Sequence, residues 1–208
     1  MSEKKVSIAV IRRLPKYLRF LEDLEESGVK GISSQELSEL TGFTASQIRQ
    51  DFNNFGGFGQ QGFGYNVKSL KENIGKIVGY DLTKNAVIVG AGNLGKTIAK
   101  YSGFRDAGLN IIGIFDRNPN NIGQDIDGTE IQDISKIENF LKNKKVHVGI
   151  ITVDKESAQD VADLFVKYGV NGIWNFAPLD LNLPEETMVE NMRFTESLLV
   201  LSYFLKNK

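Results

Sequence analysis

The 208-residue chain reads as an α/β protein: a small helical N-terminal part, then a mostly parallel sheet with helical crossovers, then one apolar helix at the end. Three observations predict this. Two helix-start signatures follow one another between residues 33 and 54, a hydrophobic strand runs directly into Gly90-Ala91-Gly92-Asn93-Leu94-Gly95, and residues 194–208 are apolar around most of a helical circumference.

Composition narrows the function classes. A 41% hydrophobic content can fill a core for each of two small domains. No apolar run approaches the roughly 20 residues of a membrane helix, and the start MSEKKVSIAVIRRL lacks the plan of a signal peptide, so a soluble cytoplasmic protein without membrane association is expected. With no cysteine there is no thiol switch or thiolate metal site, so redox sensing would have to act through a ligand. His147 is the only histidine and reads as structural, leaving no basis for a metal site or a catalytic relay. The net charge is −1, with 11 Lys/Arg against 9 Asp/Glu in residues 1–79 and 14 against 17 in residues 80–208. The basic residues of the first part cluster as Lys4, Lys5, Arg12, Arg13, Lys16 and Arg19, an arm able to contact phosphates without reading sequence.

The first helix is predicted from Leu14 to Ser27 on the spacing of Leu14, Leu18, Leu21 and Leu24, with Pro15 in its first turn and Gly28 as its stop. Ser33 and Glu36 then form a capping box, and Gly42 closes that helix. Thr44 and Gln47 give a second box, opening a helix from Ala45 to about Asn54. Two capped helices joined by Thr41-Gly42-Phe43 make a helix-turn-helix with Leu37, Leu40, Phe43 and Ile48 as its seam. Its second helix offers Ala45, Ser46, Gln47, Arg49 and Gln50 to base edges in a major groove. The following GGFGQQGFGYNV, with Phe58, Gln60 and Gln61, has the alternation of a hairpin wing that lies over a minor groove. Double-stranded DNA is therefore the expected partner, contacted by Arg12, Arg13, Ser33, Thr44 and the recognition-helix and wing residues just named.

From Asn85 a strand leads into the GxGxxG turn and then a helix through Lys100, the context in which this motif binds a dinucleotide. Gly90 allows the tight turn, Gly92 a close pyrophosphate, and Gly95 helix-on-strand packing, with the helix N-terminus facing the phosphates. The next strand, NIIGIF, ends at Asp116, about twenty residues on, where a carboxylate accepts from ribose hydroxyls and repels a 2′-phosphate, favouring NAD(H). Arg117 softens that preference, because a guanidinium there helps a phosphate or stacks on adenine. A third strand over Lys145–Val153 lies between helices Ser135–Asn143 and Glu156–Tyr168, and GIWNF is a fourth, so a Rossmann-type parallel sheet follows. Strand-end loops bring Thr152, Val153, Asn175 and Phe176 to the same crevice, and Tyr101 is a further candidate for the nicotinamide face. No hydride-transfer set accompanies them: Tyr101 precedes Ser-Gly-Phe-Arg rather than a Tyr-xxx-Lys pattern. The closing helix, with Leu198, Leu199, Leu201, Tyr203, Phe204 and Leu205, must be covered, and a two-fold homodimer covers it best.

The motifs SSQELSELTG, ASQIRQDFNNFGGFGQQGFGYNV, VGAGNLG, IFDRNPNNIG, AQDVADLFVKYGVNGIWNFAP and LSYFL, in this order over nearly the whole length, make the chain resemble the redox-sensing transcriptional repressor Rex family. The resemblance implies a homodimer with winged helices on a palindromic operator, central Rossmann domains, exchanged C-terminal helices and release of DNA at a high NADH/NAD⁺ ratio. It implies no enzyme. Departures from the family pattern are Gln60 and Gln61 for a basic wing residue, Gln50 for Lys, Asp154 after Ile151-Thr152-Val153 where relatives read ITVP, and Arg193 for Asp. The expected domains are 1–79 (winged helix), 80–190 (NAD(H)-binding) and 191–208 (dimerisation helix). The alternatives are a small NAD-dependent oxidoreductase with an N-terminal oligomerisation domain, and a nucleotide-binding scaffold that ignores DNA.

Overall fold

A computed structural model describes residues 6–59 and 64–206; Lys4, Lys5, Gln60 and Gln61 lie outside the described residues. The chain divides into two compact units, Met1–Leu82 and Thr83–Lys208.

The first unit contains α1 (Ile8–Glu26), β1 (Gly31–Ile32), α2 (Ser34–Thr41), α3 (Ala45–Asn53), β2 (Tyr65–Asn66) and α4 (Val67–Val78). α1 starts earlier than its leucine spacing predicts, because Ser7 caps it by accepting from the Val10 N–H at 3.4 Å. Pro15 is consequently interior rather than in the first turn, at a typical cost of about 3 kcal/mol. Burial of Leu14, Tyr17, Leu18 and Leu21 offsets it. The Ser33–Glu36 capping box is complete: the Ser33 hydroxyl accepts from Glu36 N at 3.1 Å and Ser33 N donates to Glu36 Oε2 at 2.7 Å. At Thr44 only the forward half forms, with its hydroxyl accepting from Gln47 N at 3.2 Å.

The helix-turn-helix seam differs from expectation at Leu40, which is 44% exposed. α2 turns Leu37 and Thr41 inward, four residues apart on one face, and the Thr41 hydroxyl is satisfied by donating to Leu37 O at 2.7 Å. Leu37, Ile48 and Phe52 complete the seam. The expected hairpin wing centres on residues 60–63, which lie outside the described residues; beside it β2 pairs with β1, Gly31 opposite Asn66 and Ile32 opposite Tyr65. Gly64 (φ +73°) is where that ribbon closes, since a Cβ there would stand 2.6 Å from Ile32 O. α4, unforeseen from the sequence, is capped by Asn66, buries Leu70 and Ile74, and ends at Gly79 (φ +67°).

In the second unit, β3 (Lys84–Val89), α5 (Asn93–Lys100), α6 (Ser102–Asp106) and β4 (Leu109–Asp116) are followed by β5 (Asp125–Ile126) and β6 (Thr129–Asp133). Then come α7 (Ile137–Asn143), β7 (Val148–Ile151), α8 (Lys155–Lys167), β8 (Gly172–Asn175), β9 (Met188–Asn191) and α9 (Phe194–Lys206). The sheet order β5-β6-β4-β3-β7-β8-β9 is parallel except for β5. Six parallel strands in the sequence order 3-2-1-4-5-6 are the dinucleotide-binding plan, with two strands beyond β4 and β8 that the sequence reading did not include. β5 and β6 turn at Asp127-Gly128, both at positive φ, 51° and 84°. One sheet face packs Phe115, Ile137, Leu141, Ala162 and Phe165, the other Ile88, Ile98, Ile114 and Ile131, so each face carries its own core. His147 is structural: its Nδ1 accepts from Asn85 N at 2.9 Å, joining the starts of β3 and β7.

Candidate functional site

The order reversal in the sheet falls at β3, flanked by β4 and β7, and a cavity of about 300 Å³ opens at the carboxyl ends of these three strands. The glycine loop forms its floor. Gly90 has φ +102°, and a Cβ there would meet Thr152 O at 2.6 Å; at Gly95 it would meet Gly90 O at 2.0 Å. A Cβ on Gly92 would meet nothing within 4 Å, so that backbone faces open space. No side chain caps the start of α5, leaving its first N–H groups directed at that space, the arrangement that receives a phosphate. The Thr152 hydroxyl lies 2.7 Å from Gly90 O and 3.1 Å from Val89 O, fastening the end of β7 to the loop.

Asp116 is buried and already engaged. Its Oδ2 accepts from Ala91 N at 2.5 Å and from Asn121 Nδ2 at 3.1 Å, and its Oδ1 accepts from Asn118 N at 2.7 Å. The carboxylate thus holds the glycine loop, and acceptor capacity for a ribose hydroxyl remains at Oδ1. Arg117 reaches across to α8, 2.6 Å from Asp154 Oδ2 and 3.2 Å from Ser157 Oγ. A hydrogen bond from Ser157 and the guanidinium of Arg117 hold the Asp154 carboxyl below the usual carboxylate range.

Of the residues expected at the nucleotide, Gly90, Gly92, Asp116, Arg117, Thr152 and Val153 line this cavity, while Ala91, Asn93, Leu94 and Gly95 belong to its loop and helix start. Three others stand elsewhere in the unit. Tyr101 ends α5, opposite the phosphate-facing terminus, 61% exposed with its ring 4.7 Å from Phe104. Asn175 is fully buried and spends its amide on Leu179 O and Asn191 Oδ1, both at 2.8 Å. Phe176 packs, with its ring tilted, between Trp174 and Phe194 at the root of α9. Asp154, which the sequence marks as a departure after Ile151-Thr152-Val153, lies on the cavity wall together with Ser157 and Asp160, which the sequence reading did not include although Asp154-x-x-Ser157 is a legible helix start.

In the first unit, α3 presents Ser46, Arg49 and Gln50 on its exposed side, with Ala45 and Gln47 partly covered and the Thr44 hydroxyl used in capping. Arg49 donates to Ser34 Oγ at 2.8 Å, linking α3 to the start of α2. Two expected surface residues are turned inward. Arg13 chelates Asp51 through Nε at 2.7 Å and Nη2 at 2.6 Å, because Asp51 lies only 1% exposed on α3 and needs a cation. The Tyr17 hydroxyl donates to the same carboxylate at 2.7 Å, and burial together with Asp51 raises its pKa, keeping it a donor. Phe58 packs edge-on against Phe52 with ring centroids 5.9 Å apart, so its ring serves the core. Arg12, Lys16 and Arg19 remain exposed on α1.

Comparison with known proteins fits both halves. A family model described as a putative DNA-binding protein N-terminus matches residues 5–53, and one described as a CoA binding domain matches residues 81–179. The redox-sensing transcriptional repressor Rex of Clostridioides difficile (strain 630) is 54% identical over 206 residues, covering 99% of this chain and 98% of the relative. The chain belongs to the Rex family of redox-sensing transcriptional repressors. Rex relatives are repressors and not enzymes, so the oxidoreductase reading falls. A solved structure of RSP in complex with β-NAD⁺ and operator DNA superposes with a TM-score of 0.93 at 51% identity, covering 97% of this chain and 93% of that one. RSP in complex with β-NADH gives a TM-score of 0.91 at 48% identity, covering 98% and 96%. Among the described residues no helix is long and apolar enough to cross a membrane, and no group of acidic, histidine or cysteine side chains is placed to hold a metal.

Proposed function

We propose that this protein represses transcription in the cytoplasm as a homodimer, binding a palindromic operator when NADH is scarce and releasing it when NADH occupies the crevice of the second unit. The observation that carries the reading is the pairing, in one chain, of a capped helix-turn-helix with a glycine loop whose open backbone faces a cavity. The relatives agree with it, one solved structure of 51% identity holding β-NAD⁺ and operator DNA together and another of 48% holding β-NADH.

In this reading Ser46, Gln47, Arg49 and Gln50 face base edges, while Arg12 and the start of α2 at Ser33 meet phosphates. Loop and α5 N–H groups from Gly92 to Gly95 take the pyrophosphate, and Asp116 takes a ribose hydroxyl. The domain plan is a DNA-binding unit, a nucleotide-binding unit and α9 as an exchanged helix. α9 supports this last part: Phe194, Leu198, Leu199, Leu201, Tyr203, Phe204 and Leu205 are each more than half exposed, an apolar surface that a second subunit would cover. Tyr101, Asn175 and Phe176 then contribute through the dimer or through packing rather than from the cavity wall of their own chain.

Fluorescence anisotropy of labelled operator DNA at fixed salt, with NADH and NAD⁺ titrated separately, tests this function. Release by NADH at concentrations where NAD⁺ leaves the complex intact is expected. Complete reversal requires NADH to prefer the DNA-free conformation by about 10⁴. No DNA binding at any ratio would remove the reading.

A further inference from the structure

The cavity wall carries an unusual charge set. Among the described residues lining it, Asp116, Asp154 and Asp160 are anions and Arg117 is the single cation. Arg117 comes from the end of β4 and Asp154 from the cap of α8, so their 2.6 Å contact spans the cavity between its two walls. The guanidinium is held twice, since its other amino group lies 3.2 Å from Ser157 Oγ. Asp154 is itself fixed, accepting from Ser157 N at 3.0 Å as the cap of α8. The sequence leaves Arg117 two roles beside a ribose, partner to a phosphate or plane for adenine to stack on. The geometry bears on both, because two of the guanidinium's five N–H donors are spent on Asp154 and Ser157 and its charge is paired with a carboxylate.

We propose that Asp154 is a selectivity residue: by holding Arg117 it denies a 2′-phosphate its cationic partner, setting the cavity for NAD(H) over NADP(H). The inference rests on the dinucleotide reading above. A 2′-phosphate brings roughly two negative charges. Within one short cavity it would meet the Asp116 carboxylate and a guanidinium already paired by Asp154, whereas an unmodified ribose offers hydroxyls that only donate or accept.

Isothermal titration calorimetry of the full-length protein with NADH and with NADPH tests the proposal on wild type, Asp154→Asn and the double variant Asp154→Asn/Arg117→Gln. Asparagine caps a helix as well as aspartate does, so α8 keeps its start while the charge is lost. The ratio of NADPH to NADH affinity should rise about three- to tenfold in Asp154→Asn, a modest change because the pair is exposed and screened. It should return to the wild-type ratio in the double variant, which lacks the freed guanidinium. An unmoved ratio in Asp154→Asn overturns the proposal, as does a parallel fall in both affinities, which would make Asp154 a tether for an arginine stacked on adenine. A gain that survives in the double variant overturns it too. Failure of the wild type to bind NADH overturns the dinucleotide reading itself, and the selectivity role with it. NADH binding with an unmoved ratio removes the role of Asp154 alone.

Discussion

The two units each fix their working element with a buried carboxylate, and they satisfy it differently. Asp51 sits inside the helical unit and takes a guanidinium and a phenol from α1, Arg13 and Tyr17, so that α3 is charge-locked to α1. Asp116 sits at a strand end and takes only neutral N–H donors, two of them backbone, so that the glycine loop is pinned without a countercharge. At Asp51 the charge is spent inside the fold, whereas at Asp116 one carboxylate is left without a countercharge beside the cavity.

Breaking the charged lock should have the largest effect. Asp51→Ala leaves Arg13 and Tyr17 facing each other without their anion, and we expect a loss of about 3 kcal/mol in urea unfolding, the lower end for a broken buried pair because Arg13 keeps some solvent. Operator affinity should fall with it. A loss under about 1 kcal/mol would show that water replaces the carboxylate, and the contrast between the two units would collapse. Next in size is Gly95→Ala, which drives a Cβ to 2.0 Å from Gly90 O. Overpacking of about 1–3 kcal/mol should appear as NADH binding weakened by about ten- to a hundredfold in calorimetry. DNA binding without nucleotide should persist, and its disappearance would show that the loop also sustains the first unit.

A smaller change is expected for Asp116→Asn, which keeps an acceptor for Ala91 N but removes the charge. About 1 kcal/mol of NADH affinity should be lost, the difference between a charged and a neutral acceptor. A loss as large as that of Gly95→Ala would mean that the pinning itself requires charge, as it does at Asp51. The smallest effect concerns pH. The Ser33 N–H holds the Glu36 carboxyl below its ordinary value. Its contribution is therefore present above the unfolded glutamate value and lost as pH falls through the lower folded value. Acid unfolding of Glu36→Gln should lack that component, and identical acid profiles of variant and wild type would show that the capping box adds nothing.

Much of this site is local in sequence and was legible there. Ser33 with Glu36, Thr44 with Gln47 and the run from Gly90 to Gly95 encode their geometry within a few residues, because a cap or a tight turn closes its hydrogen bonds locally. The cap of α4 at Asn66 and the Asp127-Gly128 hairpin are equally local, and their turn chemistry is plain in the sequence. What the sequence hid are partnerships between distant positions. Arg13 meets Asp51 at a separation of 38 residues and Arg117 meets Asp154 at 37. Each of these four charges has the composition of an ordinary solvated surface until the fold brings its partner within reach.

By itself the sequence determined the helix-turn-helix, the glycine loop and the apolar closing helix, because periodicity and short-range capping suffice to specify each. Tertiary structure alone decided that Pro15 lies inside a helix, that Phe58 faces the core, that Arg13 serves Asp51 and that Arg117 is held by Asp154. Those outcomes depend on which surfaces pack together. Burial makes an unpaired charge costly at Asp51, so Arg13 and Tyr17 meet it there, whereas the exposed Arg117 finds Asp154 because the fold sets the end of β4 across from the cap of α8.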